Sequence, residues 1–158
     1  MSEIINVIGS KVAETTTTQE QELGFIAVDS DGTKRQYVQA DGALVANEFV
    51  IINKDNQCAK LTLTLAAAGL GKKVGISEIA FADDEYGFVV VEGQTTGKVA
   101  ANCAANALLY TTATAGVLDD ATSTGLTLIH DVVALTAVVT AGTTDIRIGS
   151  SFCSTVTS

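Results

Sequence analysis

The sequence predicts an all-β protein: a compact antiparallel β-barrel or sandwich with an extended N-terminal arm. Short runs of β-branched and aromatic residues are separated by Gly, Asn and Asp turns, which is the pattern of small antiparallel domains. The chain has 158 residues, the size of one domain, and its 47% hydrophobic content includes only 5% aromatic residues. Small aliphatic side chains must therefore supply most of the core. Because the chain contains no proline, its turns depend on Gly, Asn and Asp.

The first 22 residues are predicted to form the extended arm, and residues 23–158 the single β-rich domain. The arm carries a cluster of large aliphatic side chains, Ile4, Ile5, Val7 and Ile8. The threonine run at 15–18 disfavours helix and favours extended chain. A disordered tail rarely keeps four large aliphatic residues within five positions, so we predict that these side chains dock on a neighbouring subunit. A frayed terminus is the alternative, and a short helix over residues 19–23 is another.

Two hairpins are predicted in the first half of the domain. Strands 24–29 and 34–39 flank a turn in which Asp31-Gly32 supplies the positive φ angles of a type I′ turn. Strands 49–52 and 57–65 flank a turn at 53–56. Leucines at 61, 63 and 65 alternate with threonines in the last of these strands, and this period of two predicts that the leucines face inward.

The rest of the domain is predicted to consist of further short strands. In the central stretch, residues 72–120, the strands are 74–81, 86–92, 98–99, 108–112 and 117–118, with turns at 82–85, 93–97 and 115–116. Later strands are predicted at 126–133, 135–139 and 143–148, followed by a polar tail over 149–158. The β-branched residues between 132 and 140 favour strand over helix there.

Charge and hydropathy argue against two classes of partner. The net charge of −9 argues against nucleic-acid binding, because phosphates require Lys or Arg side chains for counterion release. The longest uncharged apolar stretch, residues 132–141, has about half of the roughly 20 residues that a membrane helix needs, so no membrane span is predicted. The mean hydropathy of +0.34 fits a sheet buried on both faces or a surface covered by neighbouring subunits.

Cys58, Cys103 and Cys153 are far apart and lack the paired spacing of zinc ligands. We therefore predict no metal site, and we expect the three side chains to behave as small buried apolar groups. Free thiols fit synthesis in a reducing, intracellular compartment.

Two short motifs resemble functional sites, but each has a simpler structural explanation. Residues 29–32 match the start of a calcium-binding EF-hand loop without its closing glutamate, and a hairpin turn accounts for them. His130-Asp131 could belong to a hydrolase triad, yet no Gly-x-Ser-x-Gly elbow accompanies this single histidine. We therefore predict that His130 is a surface or edge residue.

The acidic groups at 83–85 and 119–120 are predicted to be solvated turns. Paired carboxylates hydrolyse glycosides in a cleft lined by aromatic side chains, and this chain has no tryptophan and few other aromatic residues. The glycine and lysine residues at 69–73 lack the spacing of a phosphate-binding loop. These observations predict a protein that is not an enzyme and that binds no cofactor.

Two segments of the central stretch carry a resemblance to a known family. They are residues 86–93 (YGFVVVEG) and residues 99–120 (VAANCAANALLYTTATAGVLDD). In this pattern the chain resembles the head decoration, or cement, proteins of tailed bacteriophages, which are usually encoded beside the major capsid protein.

The resemblance implies a structural function on the virion. It implies a protein that binds the outer surface of the head shell and stabilises contacts between major capsid subunits, as a homotrimer or another homo-oligomer. It also implies synthesis in the host cytoplasm. The alternative function is a virion-surface module that recognises a host glycan or protein as a fibre tip does, and the scarcity of aromatic residues counts against it.

Overall fold

The structure is a computed structural model that describes residues 6–7 and 10–158, with side chains from Val12 onward. It is nearly all β, as predicted. The strands are β1 (Asn6–Val7), β2 (Ser10–Lys11), β3 (Ile26–Val28), β4 (Lys34–Ala40), β5 (Glu48–Ile52), β6 (Gln57–Lys60), β7 (Lys73–Ser77), β8 (Tyr86–Val99), β9 (Leu109–Thr111), β10 (Leu118–Asp119), β11 (Thr127–Ala134) and β12 (Gly142–Val156). A short helix, α1 (Leu63–Ala68), lies between β6 and β7. Within the described residues, no helix is long and apolar enough to cross a membrane.

Ten strands form one large sheet in the order β10-β9-β11-β12-β8-β7-β5-β6-β4-β3, and β1 pairs separately with β2. Additional pairings join β8 to β4, β8 to β10 and β12 to β7. The pairings therefore run in two circuits that both return to β8. One circuit passes through β7, β5, β6 and β4, and the other through β12, β11, β9 and β10. β3 lies outside both circuits, at the end of the strand order.

β8 is the strand that the two circuits share. Its residues 86–92 pair with β4 and its residues 93–99 pair with β12. The predicted turn at 93–97 is therefore wrong. Gly93, with a φ of 126°, stands where the partner strand changes. Gly97 is required by close packing, because a Cβ there would lie 2.9 Å from Ile146 and 3.0 Å from Phe49.

The core lies on both sides of β8, which explains its uninterrupted apolar run. Val89 and Val91 belong to one buried cluster, whereas Phe88 and Val90 point to the other face and belong to two further clusters. All four side chains are at most 3% exposed. A strand that is buried on both faces has no polar face to alternate with its apolar one, so its sequence is continuously hydrophobic.

The second predicted hairpin is confirmed as β5 and β6, but the predicted strand is too long. β6 ends at Lys60, and the chain then forms α1 instead of continuing as a strand. Thr62 caps this helix by accepting a hydrogen bond from the Leu65 amide at 3.1 Å, and alanines follow, which favour helix. The inward placement predicted for Leu65 is wrong, since this residue is 40% exposed.

The C-terminal prediction is wrong in two places. Residues 135–139 form no strand; instead, the amide of Val138 bonds to the carbonyl of Cys103 at 3.0 Å. The predicted polar tail is the second half of β12, which pairs with β11 as far as Val156. Small polar residues hid this strand, although Ser151 and Cys153 are buried at alternate positions as a strand requires.

The first hairpin is confirmed as β3 and β4, with a different turn from the one predicted. The amide of Gly32 bonds to the carbonyl of Asp29 at 3.0 Å, and that of Asp29 bonds to Thr33 at 2.9 Å. Gly32 alone has a positive φ in this turn, at 87°, whereas a type I′ turn needs two such residues. The connection is therefore a three-residue loop that closes on a left-handed glycine. Residues 19–23 form no helix.

Candidate functional site

β3 forms an open edge of the large sheet and exposes apolar side chains. Among the described strands it pairs with β4 alone. Ile26 is 39% exposed and Val28 51%, and the preceding Phe25 is 41% exposed. Three large apolar side chains beside a free sheet edge are characteristic of a surface that contacts another protein.

The main chain of β3 presents hydrogen-bonding groups at this edge. Main-chain bonds join residue pairs 25/37 and 29/33, at 2.8 and 2.9 Å. Because bonded and non-bonded pairs alternate in an antiparallel ladder, Ile26 and Val28 direct their N–H and C=O groups away from β4. The edge can therefore accept a further strand.

A polar cleft continues from this edge on the same face of the sheet. Ile26 lies opposite Gln36 and Val28 lies opposite Lys34, so each pair projects to one face. Gln36 is one wall of a cleft of about 350 Å³, hereafter the lysine cleft, whose lining residues are Gln36, Ile52, Asn53, Lys54, Asn56, Lys72 and Lys73.

The lysine cleft contains the only described basic side chains that lack an ion pair. The ion pairs engage Lys34, Arg35, Lys54, Lys60, Lys98 and Arg147. Among the residues whose side chains are described, Lys72 and Lys73 have no carboxylate within ion-pair distance. Two lysines without an ion pair therefore line this cleft, in a chain whose net charge is −9.

Hydrogen bonds hold the wall of the lysine cleft in place. The Lys73 ammonium donates to Gln36 Oε1 at 2.8 Å, and Gln36 Nε2 donates to Asn56 Oδ1 at 2.9 Å. Gly24 leaves room for this arrangement, because a Cβ there would lie 2.9 Å from Asn56 Nδ2. Burial lowers the pKa of Lys73; Glu92 opposes this effect and Lys34 adds to it.

A buried ion-pair network fixes the β3–β4 hairpin that carries the edge. Arg35, whose side chain is 7% exposed, donates through Nη1 to the Asp29 carboxylate and through Nε to Glu78 at 3.0 Å. Thr95 donates to Glu78 at 2.9 Å, which ties the network to β8. Burial by itself would lower the pKa of Arg35, but its hydrogen bonds to Glu78 and Asp29 raise it. This network thus fixes the hairpin to β8, while the outer edge of β3 stays open.

The structure does not assemble a triad around the histidine. His130 is exposed on β11, which confirms the predicted surface position, and its ring centroid lies 4.8 Å from that of Phe152. Asp131 faces Arg147 at 3.7 Å. The Ser151 hydroxyl donates to the main-chain carbonyl of Asp131 at 2.8 Å. The histidine, carboxylate and hydroxyl therefore each have a different neighbour.

The two acidic groups differ in their surroundings. Residues 83–85 form the predicted solvated turn, where Asp83 accepts a hydrogen bond from the Gly42 amide at 2.7 Å. Asp119 does not fit that prediction: it lies half-buried in β10, and its carboxylate, that of Asp120 and the Cys103 thiol lie within 4.8 Å of one another. Burial raises the pKa of Asp119 and of Cys103. Burial thus favours the neutral form of both groups.

The three cysteines are buried and unbonded to one another, as predicted. Burial raises the pKa of Cys58 to about 12 and that of Cys153 to about 11. Both thiols therefore stay neutral through the physiological range and act as apolar core groups.

The predicted partner-binding residues of the arm lie largely outside the described part of the chain. Ile4, Ile5 and Ile8 are not described, and Val7 lies in β1. Further along the predicted arm, Val12 is buried against Tyr37 and Phe88, and Thr16 pairs with β8. Docking of the aliphatic cluster on a neighbouring subunit stays a prediction.

Neither the open edge nor the lysine cleft was predicted from the sequence. One signal was available: the only adjacent basic pairs in this acidic chain are Lys34-Arg35 and Lys72-Lys73. The first pair contributes the hairpin anchor and the second lines the cleft. No protein-family model matches the chain, and a search of curated proteins found no significant match.

Proposed function

We propose that the protein is a structural decoration protein of a tailed-bacteriophage head. It binds the outer surface of the shell, stabilises contacts between major capsid subunits, and acts as a homo-oligomer without catalysing a reaction. The pattern resemblance at 86–93 and 99–120 suggested this function. We further infer that the two pairing circuits form compact barrels that share β8, a rigid body suited to a shell surface.

The observation that carries the proposal is the open edge at β3. A protein that secures a shell needs a surface that buries apolar area and pairs main-chain groups with its neighbour. The edge offers both, through exposed Ile26 and Val28 and through their outward main-chain groups. Burying each such side chain contributes on the order of 1.5–3 kcal/mol before the cost of association is subtracted.

The experiment measures attachment to empty, expanded heads assembled from the major capsid protein of the same phage. Purified protein should co-sediment with these heads at a saturating stoichiometry. Ile26→Lys together with Val28→Lys should reduce occupancy at least about tenfold, because two buried apolar contacts are replaced by charges. The melting temperature should change little, since both side chains are exposed in the isolated chain.

Val139→Lys together with Leu108→Lys is the matched control. Both side chains are even more exposed, at 82% and 62%, and they lie outside β3. This variant should attach like the wild type. The proposal is refuted if wild-type protein does not attach to the heads, and use of the β3 edge is refuted if both double variants attach equally well. Attachment to host cells but not to heads would favour a receptor-binding module.

A further inference from the structure

Lys72 and Lys73 are unusual among the described basic residues because acidic groups are abundant and yet none lies within ion-pair distance of either lysine. The sequence contains 18 acidic and 9 basic residues. Every other basic side chain that the structure describes forms an ion pair with a carboxylate. This includes Lys54, whose side chain is 87% exposed. A bound anion would supply the counter-charge that both ammonium groups lack within ion-pair distance.

The lysine cleft is shaped to receive such an anion. Its volume of about 350 Å³ accommodates a small organic anion or the end of an acidic side chain. A smaller cavity of about 120 Å³ adjoins it and shares Asn53 and Lys72 as lining residues. Lys73 is held in position by Gln36, so little order must be created when an anion binds.

We propose that the lysine cleft is a carboxylate-binding site, in which the ammonium groups of Lys72 and Lys73 bind the anion and the neighbouring side-chain amides orient it. The carboxylate comes either from an acidic segment of a partner protein or from a free small dicarboxylate. The partial burial that lowers the pKa of Lys73 also removes competing water, so the charge-assisted hydrogen bond is stronger there than on an open surface.

Nucleic acid is the less favoured anion. Its phosphates form a dense line of charge that meets the −9 net charge of the whole chain, whereas an isolated carboxylate senses mainly the local pair of lysines. The inference concerns the purified chain and does not depend on attachment to a phage head.

Calorimetric titration of the full-length protein at low salt tests the inference with defined probes. The probes are malonate, a capped tetraglutamate peptide, inorganic phosphate and a short DNA duplex. We expect saturable binding of one carboxylate probe per chain, weakened by added salt because the contact is ionic. Tight binding of the peptide alone identifies a protein segment as the source, whereas equal binding of malonate identifies a small molecule.

The decisive variant is Lys72→Gln together with Lys73→Gln, which should weaken carboxylate binding at least about tenfold, since two charge-assisted contacts are lost. Lys98→Gln together with Arg147→Gln is the control. It lowers the net charge by the same amount and removes cations that are already paired outside the cleft. The control should bind within about twofold of the wild type, because long-range electrostatics change equally in both variants.

Lys72→Gln alone should preserve the fold, because the Lys72 side chain is exposed. This variant should lose part of the carboxylate affinity that the double variant loses. Equal weakening in the two double variants would overturn the inference, as would the absence of saturable binding of any carboxylate probe. Tighter binding of DNA than of the peptide would also overturn it. None of these outcomes involves capsids, so they can be told apart from a failure of the proposed function.

Discussion

At the scale of single residues, the buried cation Arg35 has the clearest energetic consequence. Its guanidinium is shared between Asp29 and Glu78, and the Asp29 side chain is only 1% exposed. A second oxygen of this carboxylate, Oδ1, has no hydrogen-bond partner among the described residues. The Asp29 charge is therefore tolerated in the interior mainly because Arg35 lies next to it.

We expect Arg35→Met to lower the free energy of unfolding by about 3–5 kcal/mol, because it leaves the Asp29 carboxylate buried without its counter-charge. Arg147→Met is the control, since Arg147 and its partner Asp131 are 54% and 42% exposed and lie 3.7 Å apart. It should cost less than about 1 kcal/mol. Urea unfolding followed by circular dichroism measures both values. Similar losses in the two variants would contradict a special role for the buried pair.

Cys58 gives a prediction about pH. Burial, and secondarily the charge of Asp41, raise its pKa from 9.0 to about 12. The folded protein therefore holds this proton more tightly than the unfolded chain does. The resulting stabilisation is complete below pH 9 and is lost as the pH rises from 9 toward 12.

We accordingly expect the stability difference between the wild type and Cys58→Ala to shrink as the pH is raised from 8 to about 10.5. Urea unfolding in the presence of a reducing agent measures this difference at each pH. Cys153→Ala should show nearly the same trend, since the pKa of that thiol is raised to about 11, which also lies above this pH range. A difference that stays constant with pH would show that the Cys58 thiol titrates alike in both states.

At the scale of the elements, the shared strand β8 depends on a glycine in its second half. Gly97 lies opposite Thr144 of β12, and a Cβ at this position would collide with Ile146 and Phe49. Both neighbours are fully buried, so they cannot move away without disturbing the core.

Gly97→Ala is expected to lower the free energy of unfolding by about 1–3 kcal/mol through overpacking. Gly142→Ala, at the start of β12, is the matched control, because the nearest atom to its added Cβ is 3.9 Å away. This control should change stability by less than about 0.5 kcal/mol. Thermal and urea unfolding compare the two. If Gly97→Ala left the free energy of unfolding unchanged, the packing of β8 against β12 would tolerate the added methyl group, contrary to this prediction.

At the scale of the whole molecule, acidity and local positive charge have separate roles. A net charge of −9 opposes non-specific association between identical chains and repels other polyanions. The open β3 edge and the lysine cleft share one face, so apolar contact, strand pairing and a carboxylate contact could all form with a single partner. An exposed edge is an aggregation risk for an isolated protein, and the surrounding negative charge limits that risk.

The local patterns in the sequence determined the class of fold and several of its elements. Alternating apolar runs and Asp-Gly or Asn-rich turns gave both early hairpins, since these signals act between residues close in the chain. The continuous apolar run at 86–91 was a strand because both of its faces are buried. The burial of the three cysteines also followed from their type and spacing.

Only the tertiary structure decided the features that depend on distant partners. The glycine at 97 predicted a turn from the sequence, whereas the structure shows that close packing against Phe49 and Ile146 requires it. The small polar residues at 149–156 predicted a tail, whereas the structure shows that they pair with β11. The candidate site is of this kind: Gln36 and Lys73 are far apart in the sequence and meet only because the sheet folds them onto one face. The periodicity of a strand determines which of its residues share a face, but it does not determine which strand lies beside it. The candidate site depends on that strand pairing.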